Sequence, residues 1–347
     1  VAEAVNAPPP RVYYVLSSEQ FTVPQLVKCG QEAEHAGFDG VWTSDHFQPW
    51  QPNEGHSGSA WVTLAALTQR TSRITIGTGV TCPSFRYRPA VVAQVWASLS
   101  QLAPRRVFLG VGAGENLNEG AAGGGWGRYH ERAARLVESV RIIRALWTGD
   151  PVKIEGEFWG VDARLYDPPA SKIPIYIAAG GPKSARIAGL HGDGMIMGAG
   201  DLRNKPGLKA ARDGAAREAG KAGSLPIVVE HWAVAGDRAQ AEDAAEKWRY
   251  IPSAWASGFF DNVSPAEIQA RAQKEVSLED VLEGWTVSRD PLRHVRAIEE
   301  LADLGATHVV IHCPMPNQSK AIRFFGREVL PALRASRRKA GPSRRPR

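Results

Sequence analysis

Seven residues, SDHFQPW from Ser44 to Trp50, put an acid, a base, an amide and two aromatic rings directly after the apolar run Gly40-Val41-Trp42. An imidazole titrates near neutral pH and can take a proton from a hydroxyl, so His46 is the general-base candidate. Asp45 is the neighbour expected to orient it or tune its basicity, and Trp50 sets a large flat ring in the same loop. Three further stretches carry comparable groups: Ser17-Ser18-Glu19-Gln20 brings Glu19, GVGAGE ends in Glu115, and Ala178-Ala179-Gly180-Gly181-Pro182 is a second glycine-rich turn. Backbone N–H groups at such turns can cradle a phosphate without a large positive charge. Each feature alone also has an ordinary explanation, with Asp45 capping a turn, Glu115 opening a helix and the glycines serving tight strand–helix turns.

The elements that must bring these groups together are legible as an alternation. Eight apolar, β-rich runs recur along the chain: Val12–Leu16, Gly40–Trp42, Ile74–Val80, Val107–Gly112, Ile173–Ala178, Gly194–Met197, Pro226–Glu230 and His308–His312. Nearly all are separated by helical spacing, over Val23–Ala36, Ser59–Arg70, Ala90–Leu102 and Tyr129–Trp147, and in helices that start at Lys183 and Ser319. Strands buried on both faces and joined by helices are parallel. Eight of them imply an α/β fold of the closed (β/α)8 TIM-barrel type, with Gly123–Gly127 and Arg249–Val287 as insertions. In such a barrel the site forms at the C-terminal ends of the strands, which is where Glu19, His46 and Glu115 fall.

Composition narrows the function classes. The chain has 347 residues, a hydrophobic fraction of 43% and no apolar run as long as a membrane span. Its net charge of +6 is matched by the six Arg and Lys residues of the last stretch, residues 337–347, which holds no acid. That stretch reads as a solvated basic tail and residues 1–10 as a flexible Pro/Ala leader, leaving one barrel over 11–336 and little case for nucleic-acid binding. Cys29, Cys82 and Cys313 have no metal-ligand spacing and form no disulfide framework, so no metal is expected.

Taken together, SDHFQPW, SSEQF, GTGVTCPSFRYRPAVVAQ, RVFLGVGAGENLNE and IPIYIAAGGP resemble the luciferase-like hydride transferases, in order and spacing from about Val12 to Leu333. Within them the chain is similar to the dehydrogenases that use the deazaflavin coenzyme F420, the glucose-6-phosphate and hydroxymycolic acid branches. The resemblance implies a luciferase-like barrel, usually a homodimer, with the deazaflavin in its mouth. It implies His46 as the base, Trp50 as the ring that orients the reacting centre, Glu115 as the acid for the cofactor, and Glu19 and Asp45 as pocket residues beside them. Gly79 and Val80 match a bulge with a cis peptide behind the ring, and Ala113, Gly114, Asn118, Ala179, Gly180 and Gly181 match cofactor contacts.

Departures from the pattern bear on substrate. Where the sugar-phosphate enzymes carry two lysines and an arginine for the phosphate, this chain has Asp201, Ala270 and Gly284. Without those charge-assisted contacts a dianion is poorly held. The stretches DHFQPWQPNEGHS, GVTCP, PAEIQ and GWTV resemble the exported hydroxymycolic acid branch, which oxidises a hydroxyl on a long lipid. The Pro-rich start suits a mature form of that kind, with a cytosolic form as the alternative, and Trp255–Phe260 offers apolar surface to a lipid. The expected activity is therefore F420-dependent oxidation of a small-molecule or lipid alcohol. The residues leave open a sugar-phosphate dehydrogenase, an FMN-dependent monooxygenase and a non-catalytic binding barrel.

Overall fold

A computed structural model describes residues 9–221, 223–253 and 261–339. Eleven strands occur among them: β1 Arg11–Leu16, β2 Gly40–Thr43, β3 Thr75–Thr78, β4 Leu109–Val111, β5 Val152–Glu155, β6 Gly160–Ala163, β7 Ile175–Ala178, β8 Gly194–Gly198, β9 Ile227–Val234, β10 Thr286–Val287 and β11 His308–His312. Eight pair in parallel in the order β3-β2-β1-β11-β9-β8-β7-β4. Two bridges, Ile76 with Val107 and Thr81 with Val111, join β3 to β4 and complete the circle. Each of the eight runs expected from the sequence is one of these strands, and the fold is the luciferase-like TIM barrel.

Alternation along the strands explains both faces. Val12, Tyr14 and Leu16 of β1 belong to the large core between strands and helices. Tyr13 and Val15 instead join Trp42, Phe108, Val228 and Val310 in a separate interior cluster inside the barrel. The interior below the mouth is therefore packed with side chains and holds no channel.

Local signals set the helix ends. Thr22 and Gln25 form a capping box before Val23–Ala36, and Gly37 closes that helix at φ +89°, a conformation glycine adopts without cost. Three strands were not expected. The antiparallel hairpin of β5 and β6 follows the helix Tyr129–Leu146 and is tied to it by Glu138, whose carboxylate accepts the N–H groups of Glu157, Phe158 and Trp159 at 3.0–3.3 Å. β10 pairs with the far end of β9. At the C-terminus the helix Leu330–Lys339 carries the chain three residues into the stretch read as a tail. The Trp255–Phe260 stretch and the rest of that tail lie outside the described residues. Among those described, no helix is long and apolar enough to cross a membrane.

Candidate active site

The loop after β2 holds His46, the base expected from the sequence. His46 Nδ1 lies 3.1 Å from the carbonyl oxygen of Gln48, which can only accept, so Nδ1 carries the proton and the neutral ring keeps its lone pair at Nε2. Nε2 faces Glu19 Oε1 at 3.6 Å, too long for a hydrogen bond and short enough for an ion pair once the ring is charged. Glu19 is itself buried and fixed, with its other oxygen accepting the Ser44 hydroxyl at 2.5 Å. The Trp50 ring is centred 5.3 Å from the imidazole and stacks on Tyr250 at 4.6 Å. Its backbone N–H donates to Glu54 Oε2 at 2.7 Å. Burial, reinforced by the Glu19 carboxylate, holds the Glu54 carboxyl well above the usual range, against the pull of the Gln51 and Trp50 N–H groups.

Asp45 corrects an expectation. It does not orient His46, whose ring contacts are Gln48 and Glu19. Its carboxylate accepts from Trp61 Nε1 at 3.1 Å, Thr81 Oγ1 at 2.7 Å, Arg86 Nη2 at 3.1 Å and Tyr87 OH at 3.2 Å. With its acceptor sites met by protein donors, it is a hub that ties β2 to the loop after β3.

Glu115 stands half-buried just before the short helix Asn116–Glu119. Its Oε2 accepts the Asn118 amide at 3.1 Å, while Asn118 Oδ1 accepts the N–H groups of Phe47 and Gln48 at 2.8 and 3.3 Å. Asn118, read from the sequence as a cofactor contact, staples the His46 loop to the Glu115 loop. Gly114 next to it has φ +82°, and a Cβ there would lie 2.7 Å from Cys82 Sγ, so the fold itself demands glycine. Ala113 is half-buried against the core. Glu119 gave no signal in the sequence. Burial pushes its carboxyl up to about 7 despite Arg86, whose backbone N–H donates to it at 3.0 Å.

The opposite side of the mouth is built from small residues. The Gly79–Val80 peptide is cis. A Cβ on Gly112 would lie 2.7 Å from Val80 Cγ2 and 3.7 Å from Ala178 Cβ, so these three adjoin on the floor. Ala179 is buried, its N–H bonded to Ile196 O at 2.9 Å. Gly181 is the N-cap of the helix Pro182–His191, and a Cβ on it, as on Gly198, would meet no protein atom within 4 Å. Packing does not require glycine at those two positions, whereas close approach of a ligand phosphate to the backbone does. The open backbone at Gly181 and Gly198 leaves room for a phosphate-bearing group at this side. Asp201, near Gly180, is paired with Lys205 at 2.7 Å, and Lys205 Nζ also donates to Gly180 O at 3.1 Å.

An aromatic wall was missed in the sequence. From Trp50 and Tyr250 it continues through Trp248 to Trp232, whose ring stacks on His312 at 3.6 Å and on Trp285 at 5.1 Å. Trp232 and Trp248 lie in and beyond an ordinary-looking apolar strand, and only the barrel's closure brings them beside Trp50. Trp61 and Trp126, by contrast, serve the scaffold, bonded to Asp45 and Asp261. Among the described residues no group of three His, Cys, Asp or Glu side chains could hold a metal ion.

A histidine, buried and half-buried carboxyl groups and open backbone gathered at the C-terminal rim of a closed parallel barrel are the arrangement of a (β/α)8 enzyme. The chain belongs to the luciferase-like monooxygenase family, which it matches over residues 9–308. It is 46% identical over 321 residues to an F420-dependent hydroxymycolic acid dehydrogenase from Mycobacterium tuberculosis, covering 92% of this chain and 87% of that protein. It is 40% identical to an F420-dependent glucose-6-phosphate dehydrogenase from Kineococcus radiotolerans, with 94% and 98% covered. Among solved structures, an F420-dependent secondary alcohol dehydrogenase in complex with an F420-acetone adduct superposes with a TM-score of 0.87 at 32% identity, covering 94% of this chain and 99% of that one.

Proposed function

We propose that the chain is an F420-dependent dehydrogenase that oxidises an unphosphorylated, largely apolar alcohol. Coenzyme F420, when bound, supplies a two-electron hydride acceptor. The residues that would hold it are Gly79, Val80 and Ala113 at the ring and Gly114, Ala179, Gly180 and Gly181 toward the phosphate and tail, with Asp45 and Asn118 fixing the loops around them. The observation that carries the catalytic reading is the His46 arrangement. With Nδ1–H committed to Gln48, Nε2 is free to take the hydroxyl proton, and the imidazolium so formed faces the Glu19 carboxylate at 3.6 Å. Trp50 packs beside the base and limits how the carbinol carbon can lie. Glu115 is the carboxyl we assign to proton supply on the cofactor's side. A homodimer belongs to the same proposal on the family likeness, and sedimentation velocity checks it.

The substrate class follows from charge and surface. Burial raises the Tyr250 phenol well above its usual value, and the neighbouring carboxyl groups of Glu54, Glu19, Glu230 and Glu115 add to that shift. At the three positions compared above, Asp201 is neutralised by Lys205, and Ala270 and Gly284 are exposed and uncharged. Those three positions offer a phosphate dianion no net positive charge, while the partly exposed Trp232 ring, backed by buried Trp248 and Tyr250, offers an apolar face. Mixing the protein with oxidised F420 and a panel of secondary alcohols, from cyclohexanol to long-chain alkanols, should bleach the cofactor's visible band. Efficient turnover of glucose 6-phosphate in place of these alcohols would overturn the substrate class, and flavin-dependent oxygen consumption without F420 would overturn the reaction.

A further inference from the structure

The inward alternation continues above the apolar interior. Two residues beyond Val15, Val228 and Val310 stand Ser17, Glu230 and His312, on the strand neighbours β1, β9 and β11. They bond to one another: Ser17 Oγ lies 2.7 Å from His312 Nε2, and Glu230 Oε1 lies 2.8 Å from His312 Nδ1. The order of groups is that of an acyl-transfer triad. The backbone N–H groups of Ser18 and Gln20 are already engaged, however, with Ser44 Oγ at 3.1 Å and Ser17 O at 3.2 Å, so neither is free to hold an oxyanion. The imidazole is also locked in its plane, with the Trp232 face at 3.6 Å and the Trp248 ring edge-on at 4.8 Å.

A carboxylate only accepts, so Glu230 keeps the proton on Nδ1 and leaves two states at Nε2. In the neutral ring Nε2 accepts the Ser17 O–H, and Ser17 offers the mouth only lone pairs. In the imidazolium Nε2–H donates to Ser17 Oγ, and the Ser17 hydrogen turns toward the mouth. We propose that Ser17 is a substrate-positioning hydroxyl whose hydrogen-bond sense is set by His312 and Glu230. A ketone oxygen, which only accepts, is held when His312 carries two ring protons, whereas an alcohol, which donates and accepts, is held in either state. No bond to carbon forms or breaks in this switch, and one proton is taken up at His312. The proposal rests on the dehydrogenase reading only for the identity of the ligand pair. Glu230 is in contact with His312, and Tyr250, on which Glu54, Glu19, Glu230 and Glu115 bear, lies behind the Trp248 ring that packs edge-on against the imidazole. Among the described residues Glu230 forms its one ion pair with His312, so no competing cation stands against the imidazolium.

The test is a nitrogen-15 NMR titration of the His312 ring in two dead-end complexes, oxidised F420 with cyclohexanone and reduced F420 with cyclohexanol, each referred to protein with that cofactor alone. Cyclohexanone should raise the His312 pKa and cyclohexanol leave it unchanged. Ser17→Ala should abolish the ketone effect, His46→Ala should retain it, and Glu230→Gln should move the His312 ionisation to lower pH. With reduced F420 and cyclohexanone, the wild-type KM should fall about fivefold as pH drops through that ionisation, the worth of one hydrogen bond, and be flat with pH in Ser17→Ala. Equal shifts with both ligands, no ketone shift in the wild type, persistence of the shift in Ser17→Ala, or labelling of Ser17 by a fluorophosphonate would each overturn the proposal. If no alcohol or ketone turns over with F420, the dehydrogenase reading fails, and the same titration of the protein with each ligand alone still decides the role of Ser17.

Discussion

The mouth of the barrel has two unlike halves on one backbone frame. At the ends of β11, β1, β2 and β9 the inward and rim positions carry His312, Ser17, Ser44 with His46, and Glu230; Ser17 and Glu230 bond to His312, Ser44 bonds to Glu19, and His46 faces Glu19 at 3.6 Å. At the ends of β3, β4, β7 and β8 the comparable positions hold Gly79, Gly112, Ala178 and Gly198. The polar half is complete by itself: its imidazoles are oriented before any ligand arrives, which is how proton-transfer groups are kept in register. The small-residue half is completed by what lies on it. A lesion in the first should therefore spoil chemistry and spare cofactor binding, and a lesion in the second should do the reverse.

The largest expected effect tests the first half. His46→Ala should lower kcat by about 10²–10⁴-fold, the usual worth of a general base, with F420 affinity by fluorescence titration nearly unchanged. If affinity collapses as well, the halves are not independent. Next comes Gly181→Val. The residue has φ −146°, which valine adopts readily, and open space around its Cβ, so stability should change by less than about 1 kcal/mol. F420 binding should nevertheless weaken about 100-fold, because the side chain would occupy the approach to the backbone N–H groups.

Asn118→Ala cuts the link between the two loops and should affect kcat and cofactor binding together. It leaves the Phe47 and Gln48 N–H groups without their acceptor, at a cost of about 1–3 kcal/mol in denaturant unfolding. The smallest effect is expected from Glu119→Gln beneath the acid loop. Its folded-state carboxyl is raised from 4.5 to about 7, so the native state binds the proton more tightly than the unfolded chain. This stability is fully present below about pH 4.5 and is lost as pH rises through 7. The wild type should lose unfolding free energy across that window relative to the glutamine variant, and parallel profiles for the two proteins would contradict the assignment.

What the sequence could and could not disclose follows the same division. The eight barrel strands were legible because burial on both faces makes each an uninterrupted apolar run. The hairpin of β5 and β6 was not, since β5 alternates half-buried and exposed residues and β6 is mostly exposed, leaving no continuous apolar run. His46, Glu19 and Glu115 could be gathered because each directly follows a strand. The Ser17–His312–Glu230 contacts span 295 and 82 residues, and only closure of the circle between β1, β11 and β9 reveals them. Asp45 shows the limit of adjacency: next to His46 in sequence, it points into the loop after β3. Alternation turns consecutive residues to opposite sides, so the neighbour in the chain was the wrong partner and Glu19, 27 residues earlier, the right one.

The Asn118 amide has a dynamic consequence. Because one side chain holds Phe47, Gln48 and Glu115 at once, the loop assigned to take a proton and the loop assigned to give one should fluctuate as a single body. Thermal displacement of either is then shared, and the separation between the two ends of the reaction varies less than the position of either end against the barrel.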